Sequence, residues 1–182
     1  MKKKLIIQTS PHRTASTLLV NGLYGLIDCL HDKPVIYCDN IFVSNFDLYT
    51  DYEIIVVKSH NTNIDEIIDK FADKYDLFFV CSERKEINLF IDHKYKTYPN
   101  VIVFSFEELN QTIENNIYNI IYNICLKLNN VIGIKLNITN GINRIIQMNK
   151  RCEEIKNFDF YYVDKFFEIH GSHRNRNNLT YK

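Results

Sequence analysis

Leu5-Ile6-Ile7-Gln8-Thr9-Ser10-Pro11-His12-Arg13-Thr14-Ala15-Ser16-Thr17-Leu18-Leu19 decides how the rest of the chain is read. An apolar run rich in β-branched residues predicts a strand over Leu5–Thr9. The polar stretch after it predicts a tight turn, and the apolar spacing beyond predicts a helix over Ser16–Leu30. A strand–turn–helix unit of this kind aims the free N–H groups of the helix start, and the positive end of its dipole, at one point. Arg13 and the hydroxyls of Ser16 and Thr17 crowd that point, so the turn reads as a binding site for phosphate or sulfate.

The same pattern recurs along the chain. Ile54–Lys58, Leu77–Cys81 and Val101–Phe104 are continuous apolar runs, and Pro34–Tyr37 is a weaker one. Continuous rather than alternating runs fit strands covered on both faces. Helical spacing falls between them, over Asn63–Lys74, Glu107–Leu128 (read as the longest helix) and the more polar Ile142–Ile155. Strands alternating with helices predict right-handed βαβ units, a central parallel sheet and a three-layer α/β/α architecture. Leu5–Thr9 is expected at the centre beside Ile54–Lys58, with ligands beyond the carboxyl ends of the strands.

The chain has 182 residues, 46% of them apolar, and zero formal net charge. That length suits one domain, 1–182, with a real core. Zero net charge argues against long-range attraction to nucleic acid or to an acidic membrane. The apolar run after Met1-Lys2-Lys3-Lys4 stops at Gln8, too short for a signal sequence or a span. Five scattered cysteines without a C-x-x-C pair point to neither zinc nor a disulfide framework, and to a reducing, cytoplasmic setting. No metal site is expected.

The turn departs from the nucleoside-triphosphate loop G-x-x-x-x-G-K-[ST], having Ser16 where that motif has lysine and Ala15 where it has its second glycine. It resembles another loop. His12-Arg13-Thr14-Ala15-Ser16-Thr17-Leu18-Leu19 is similar to the H-R-[ST]-G-[ST]-[ST]-L-L phosphosulfate loop of the sulfotransferases, with Ala15 in place of the glycine. These are P-loop-type α/β enzymes that transfer a sulfuryl group from 3′-phosphoadenosine-5′-phosphosulfate (PAPS). Val56-Val57-Lys58-Ser59-His60 resembles their K-[ST]-H element at the end of a central strand. The resemblance implies that His60 is the general base toward an acceptor hydroxyl. It implies that Lys58 and Arg13 neutralise the sulfuryl group, and that His12, Arg13, Thr14, Ala15, Ser16 and Thr17 form the 5′-phosphate loop. Ser82-Glu83-Arg84-Lys85 follows the next strand, where the family holds the 3′-phosphate, so Ser82 and Arg84 are the candidates there. The polar, basic tail Gly171–Lys182 includes Arg174 and resembles a basic loop that covers the cofactor.

The residue types suit that chemistry. Histidine titrates near neutrality without tuning. Fixed cations stabilise the negative charge that a sulfuryl group carries through transfer, with no metal needed. The acceptor is expected to be a small molecule, a glycan or a protein tyrosine, and the oligomeric state is left open. A kinase-like nucleotide enzyme and a non-catalytic anion- or nucleotide-binding protein are the alternatives. Arg13 also suits a plain surface turn, His60 a satisfied strand-end histidine, and Arg84 a solvated charged turn.

Overall fold

The computed structural model describes residues 2–27, 33–111, 117–155 and 162–170. Five parallel strands form one sheet: β1 (Lys3–Thr9), β2 (Ile36–Cys38), β3 (Ile54–Ser59), β4 (Tyr75–Glu83) and β5 (Val101–Ser105). Their spatial order is β2-β3-β1-β4-β5. β1 is central. It pairs with β3 through Leu5↔Ile55 to Thr9↔Ser59, and with β4 through Leu5↔Leu77 to Gln8↔Val80.

Strand side chains alternate between faces, so each strand feeds two cores. Ile6, Val56 and Val80 face one core, built with α1 (Ser16–Ile27), α4 (Ile117–Ile132) and α5 (Ile138–Glu154). Leu5, Ile7, Ile55, Val57 and Phe79 face the other, where α2 (Ile64–Phe71) and short 3₁₀ turns cover the sheet. Both faces are apolar, which is why the sequence shows runs rather than alternation. β5 is an edge strand, and there burial does alternate: Ile102 and Phe104 are buried while Val101 and Val103 are half-buried. The fold is therefore α/β, with an all-parallel central sheet and helices on both sides.

The helices depart from the sequence expectation at several ends: α2 stops at Phe71 rather than Lys74, and residues 28–30 of the helix expected over Ser16–Leu30 lie outside the described ones. The stretch read as one helix over Glu107–Leu128 contains α3 (Phe106–Gln111) and the first part of α4, and residues 112–116 lie outside the described ones. α5 starts at Ile138, four residues before the expected start, because Asn137 caps it by accepting from the Asn140 amide (3.1 Å). At 17 residues α5 is also longer than α4. A two-stranded antiparallel hairpin, β6 (Val163–Asp164) and β7 (Ile169–His170), is absent from the sequence expectation. Two-residue strands are too short to show any period.

α5 lies hard against α1. A Cβ at Gly25 would fall 2.5 Å from the Asn140 carbonyl oxygen and 2.6 Å from Gly141 Cα, so that crossing requires glycine. Cys38, Cys81, Cys125 and Cys152 are buried thiols that form no disulfide. No helix among the described residues is long and apolar enough to cross a membrane.

Candidate functional site

The parallel register brings both sequence motifs to the same sheet end. Gln8 pairs with Lys58 and Thr9 with Ser59, so His60 leaves β3 level with Ser10, where the turn leaves β1. Alternation also puts Gln8, Lys58 and Ser82 on the face that carries α1, beneath the turn.

The turn has an unusual backbone. Arg13 has φ 69 and Ala15 has φ 63, both in the left-handed region. For residues with a Cβ this costs roughly 1–2 kcal/mol each, and such strain persists only where surrounding contacts enforce it. The enforcement comes from below. Thr14 and Ser10 are fully buried. Thr14 Oγ1 donates to the Pro11 carbonyl (2.8 Å), and Ser82 Oγ donates to Thr14 Oγ1 (3.0 Å). Ser10 Oγ accepts from the Ser82 amide (2.7 Å) and from Gln8 Nε2 (2.8 Å). Thr9 Oγ1 donates to the Asn61 carbonyl and ties the two strand ends together.

α1 begins immediately after Ala15, whose carbonyl accepts the first helical bond from the Leu19 amide (3.0 Å). The amides at the start of the helix have no intrahelical acceptor. Thr17 is half-buried beside them, and Ser16 is buried. Lys58 Nζ arrives from β3 and donates to Thr17 Oγ1 (3.1 Å), with the Tyr37 ring centroid 5.3 Å away. Lys58 is 2% exposed, and that burial pushes its proton affinity down to about 8.

His60 stacks on His12, with ring centroids 3.7 Å apart, and meets Tyr37 at 6.1 Å. Its Nδ1 lies 2.8 Å from the Ser10 carbonyl. A carbonyl oxygen only accepts, so Nδ1 carries the proton and Nε2 presents a lone pair. Burial lowers His60 to about 4, against the raising effect of the Ser10 bond, and nearby Lys58 lowers it further. The ring is neutral at pH 7.

The β4 side is organised differently. Ser82 is fully buried and its hydroxyl is engaged in the floor of the turn. Arg84 is a covered residue rather than a solvated one. Its guanidinium lies 3.9 Å over the Phe106 ring, pairs with Glu86 (2.7 Å) and reaches the Arg13 carbonyl at 3.5 Å. Glu83, a carboxylate that would oppose a nearby phosphate, is paired with Lys96 at 2.6 Å. His12 and Arg13 are exposed at the lip of the turn. Arg174 and the rest of the tail lie outside the described residues.

One element that the sequence does not announce joins this site. The β6–β7 hairpin packs on the start of α1. Thr17 Oγ1 donates to the Glu168 carbonyl (3.5 Å), and Asn21 Nδ2 donates to the carbonyls of Phe167 and Thr17 (both 2.8 Å). Arg144, 2% exposed on α5, donates from Nε to Asn21 Oδ1 (3.1 Å) and from Nη2 to the Phe166 carbonyl (2.5 Å). Gly141, Arg144, Ile145, Met148 and Cys152 share the buried stripe of α5, so a lone arginine on an apolar stripe is the one sequence signal of this contact.

The site thus combines a strained turn, a helix start, two hydroxyls, a buried lysine and a neutral histidine with a free lone pair. Such a set can hold an oxyanion and accept a proton beside it. No protein-family model matches the chain, and a search of curated proteins found no match to it.

Proposed function

We propose that this chain is a P-loop-type sulfotransferase-like enzyme that moves a sulfuryl group from PAPS to an acceptor hydroxyl. The observation that carries the reading is the meeting of two motifs distant in sequence: Lys58 Nζ stands 3.1 Å from Thr17 Oγ1, while His60 is tied to Ser10 at the base of the same turn. The donor set suits a phosphosulfate, since it consists of amides, hydroxyls, an ammonium and guanidinium groups.

PAPS, when bound, supplies an activated sulfuryl group. The amides from Thr14 to Thr17, with the Ser16 and Thr17 hydroxyls, hold the 5′-phosphate, and His12 shapes the turn. Lys58 and Arg13 neutralise the sulfuryl oxygens, and their charges count most where negative charge builds up in transfer. His60 Nε2 accepts the proton of the acceptor hydroxyl while Nδ1 stays fixed on Ser10. An anion beside the ring raises its proton affinity from about 4 toward neutrality, where a general base works best. Arg84 is the guanidinium offered to the 3′-phosphate, and Ser82 acts from beneath by bracing Thr14. Arg174 belongs to the same reading as a cover for the cofactor. A small-molecule or glycan acceptor and a cytoplasmic setting complete it.

A second reading, a non-catalytic anion-binding protein, draws support from Ser82. Its hydroxyl is committed inside the protein, which leaves Arg84 as the described candidate for the 3′-phosphate. Thermal shift separates the readings. Stabilisation by PAPS, and by its desulfated product PAP, well beyond that by sulfate supports the sulfotransferase. Stabilisation by sulfate alone supports the binding protein, and a response to Mg-ATP without one to PAP supports a nucleotide enzyme.

A further inference from the structure

Glu168 is a carboxylate that neither sequence motif contains. It sits in the β6–β7 turn, 4% exposed, with φ 53. A left-handed backbone at a non-glycine residue marks a position that its surroundings impose. Here the two preceding carbonyls are gripped from two helices, Phe166 by Arg144 on α5 and Phe167 by Asn21 on α1. Arg144 and Asn21 are also bonded to each other, so hairpin, α1 and α5 form one clamp. The clamp sets Glu168 against Thr17. Its carbonyl accepts from Thr17 Oγ1 (3.5 Å), the same oxygen that accepts from Lys58 Nζ (3.1 Å), and its carboxylate accepts from His170 Nε2 (2.8 Å).

We infer that Glu168 is a positioning residue of the anion site: its carbonyl orients the Thr17 hydroxyl toward Lys58, and its buried carboxylate is the negative charge that the clamped turn brings to the Thr17–Lys58 pair. The inference rests on the anion-binding role proposed for Lys58. The need for a counter-charge follows from burial. Lys58 has lost almost all contact with water, and the Glu168 charge acts against the resulting loss of proton affinity. Among the described residues, Thr17 from α1 and the Tyr37 ring from β2 meet Lys58, His60 stands near it with His12 stacked on its ring, and His170 from β7 holds the Glu168 carboxylate. Burial and Asp39 keep the Tyr37 phenol protonated, and an imidazole is only ever neutral or cationic here, so none of these groups supplies the negative charge.

The test is a titration of Lys58 followed by NMR on lysine-labelled protein, beside sulfate affinity at pH 6 and pH 8. Glu168→Gln should lower the Lys58 midpoint by about one pH unit, a tenfold loss of proton affinity. Sulfate binding should then weaken several-fold more at pH 8 than at pH 6, because only at pH 8 does the ammonium fraction differ. Glu168→Asp withdraws the charge by one methylene and should give an intermediate midpoint, which decides the matter alone if the glutamine variant does not fold. An unmoved midpoint in both variants, or equal weakening at both pH values, overturns the assignment. Absence of PAP binding to the wild-type protein would instead overturn the proposed function and leave the Lys58 titrations standing.

Discussion

The two strands that flank β1 reach the sheet end in parallel register, yet they do opposite work there. β3 ends in Lys58 and His60, and β4 ends in Ser82 and Arg84. Lys58 and Ser82 both point to the α1 face beneath the turn. Lysine is long enough to pass the floor and set its ammonium at the helix start, whereas serine stops in the floor and joins the hydroxyl network that shapes the turn. Arg84 is long enough to go further, but Phe106 and Glu86 hold it against the outer side of the turn. Strand position alone therefore does not make a site residue. Reach, and the partners waiting along the way, decide between delivering chemistry and bracing it.

This contrast can be broken or sharpened by substitution. The largest effect is expected on the β3 side. His60→Ala should reduce sulfuryl transfer by about 10²- to 10⁴-fold while PAP affinity changes little, as befits a base that acts on the acceptor. Unchanged turnover on a confirmed acceptor would remove the histidine from the mechanism. The same ring has a signature in stability. Its proton affinity is held at about 4 in the folded protein against 6.5 for a free histidine, so the unfolded chain binds more protons between those values. Stability from the neutral ring is therefore full above pH 6.5 and is lost as pH falls toward 4. Acid denaturation curves should show that loss in the wild type and a flatter profile in His60→Ala.

Lys58→Met comes next. Donor affinity and turnover should both fall, with turnover down by roughly 10²-fold, since in the proposed reaction the ammonium meets the donor before and during transfer. Lys58→Met leaves the buried Glu168 carboxylate without that ammonium and the Thr17 hydroxyl without its donor, so the melting temperature should fall along with activity. A drop in melting temperature with activity intact would make Lys58 a structural residue. On the β4 side the order reverses. Ser82→Ala should cost about 1–3 kcal/mol of stability by leaving buried polar partners unsatisfied. Its effect on PAP affinity should be smaller than that, and a selective loss of PAP binding without destabilisation would return Ser82 to direct contact. The smallest effect belongs to Ala15→Gly. Relief of the positive φ is worth roughly 1–2 kcal/mol, and the extra freedom of the unfolded chain offsets about 0.5–1 kcal/mol of it. Denaturant titration should find a net gain of about 0.5–1 kcal/mol, and a net loss would mean that the turn relaxes away from its left-handed geometry.

Much of this architecture is legible in the sequence. Ile6, Val56 and Val80 belong to runs whose two-sided apolarity announces a covered parallel sheet, and the turn after β1 carries its own chemistry. The central place of β1 follows from requiring both motifs at one edge. What stays hidden depends on contacts between distant segments. The β6–β7 hairpin has strands too short for a period, and Glu168 lies among aromatic residues with no local sign that Thr17 is its neighbour. Arg84 reads as part of a solvated turn because nothing near it in sequence announces Phe106, twenty-two positions on, as the ring it covers. The Asn137 cap is masked because it stands between Leu136 and Ile138 with Asn140 and Gly141 close behind, a mixture that blurs where α5 begins.

The central place of β1 also has a consequence for how the protein is made. β1 leaves the ribosome before both of its neighbours, since Lys4 pairs with Ile54 and Lys3 with Tyr75. Until β4 has been synthesised, β1 is a short, very apolar segment with at least one bare hydrogen-bonding edge, the kind of nascent surface that associates with other chains or is held by chaperones. The sheet closes only through such long-range pairings, so folding is set by loop closure and should be slow for a chain of this size. The strand that anchors the strained turn is thus also a stretch exposed to misassembly during synthesis.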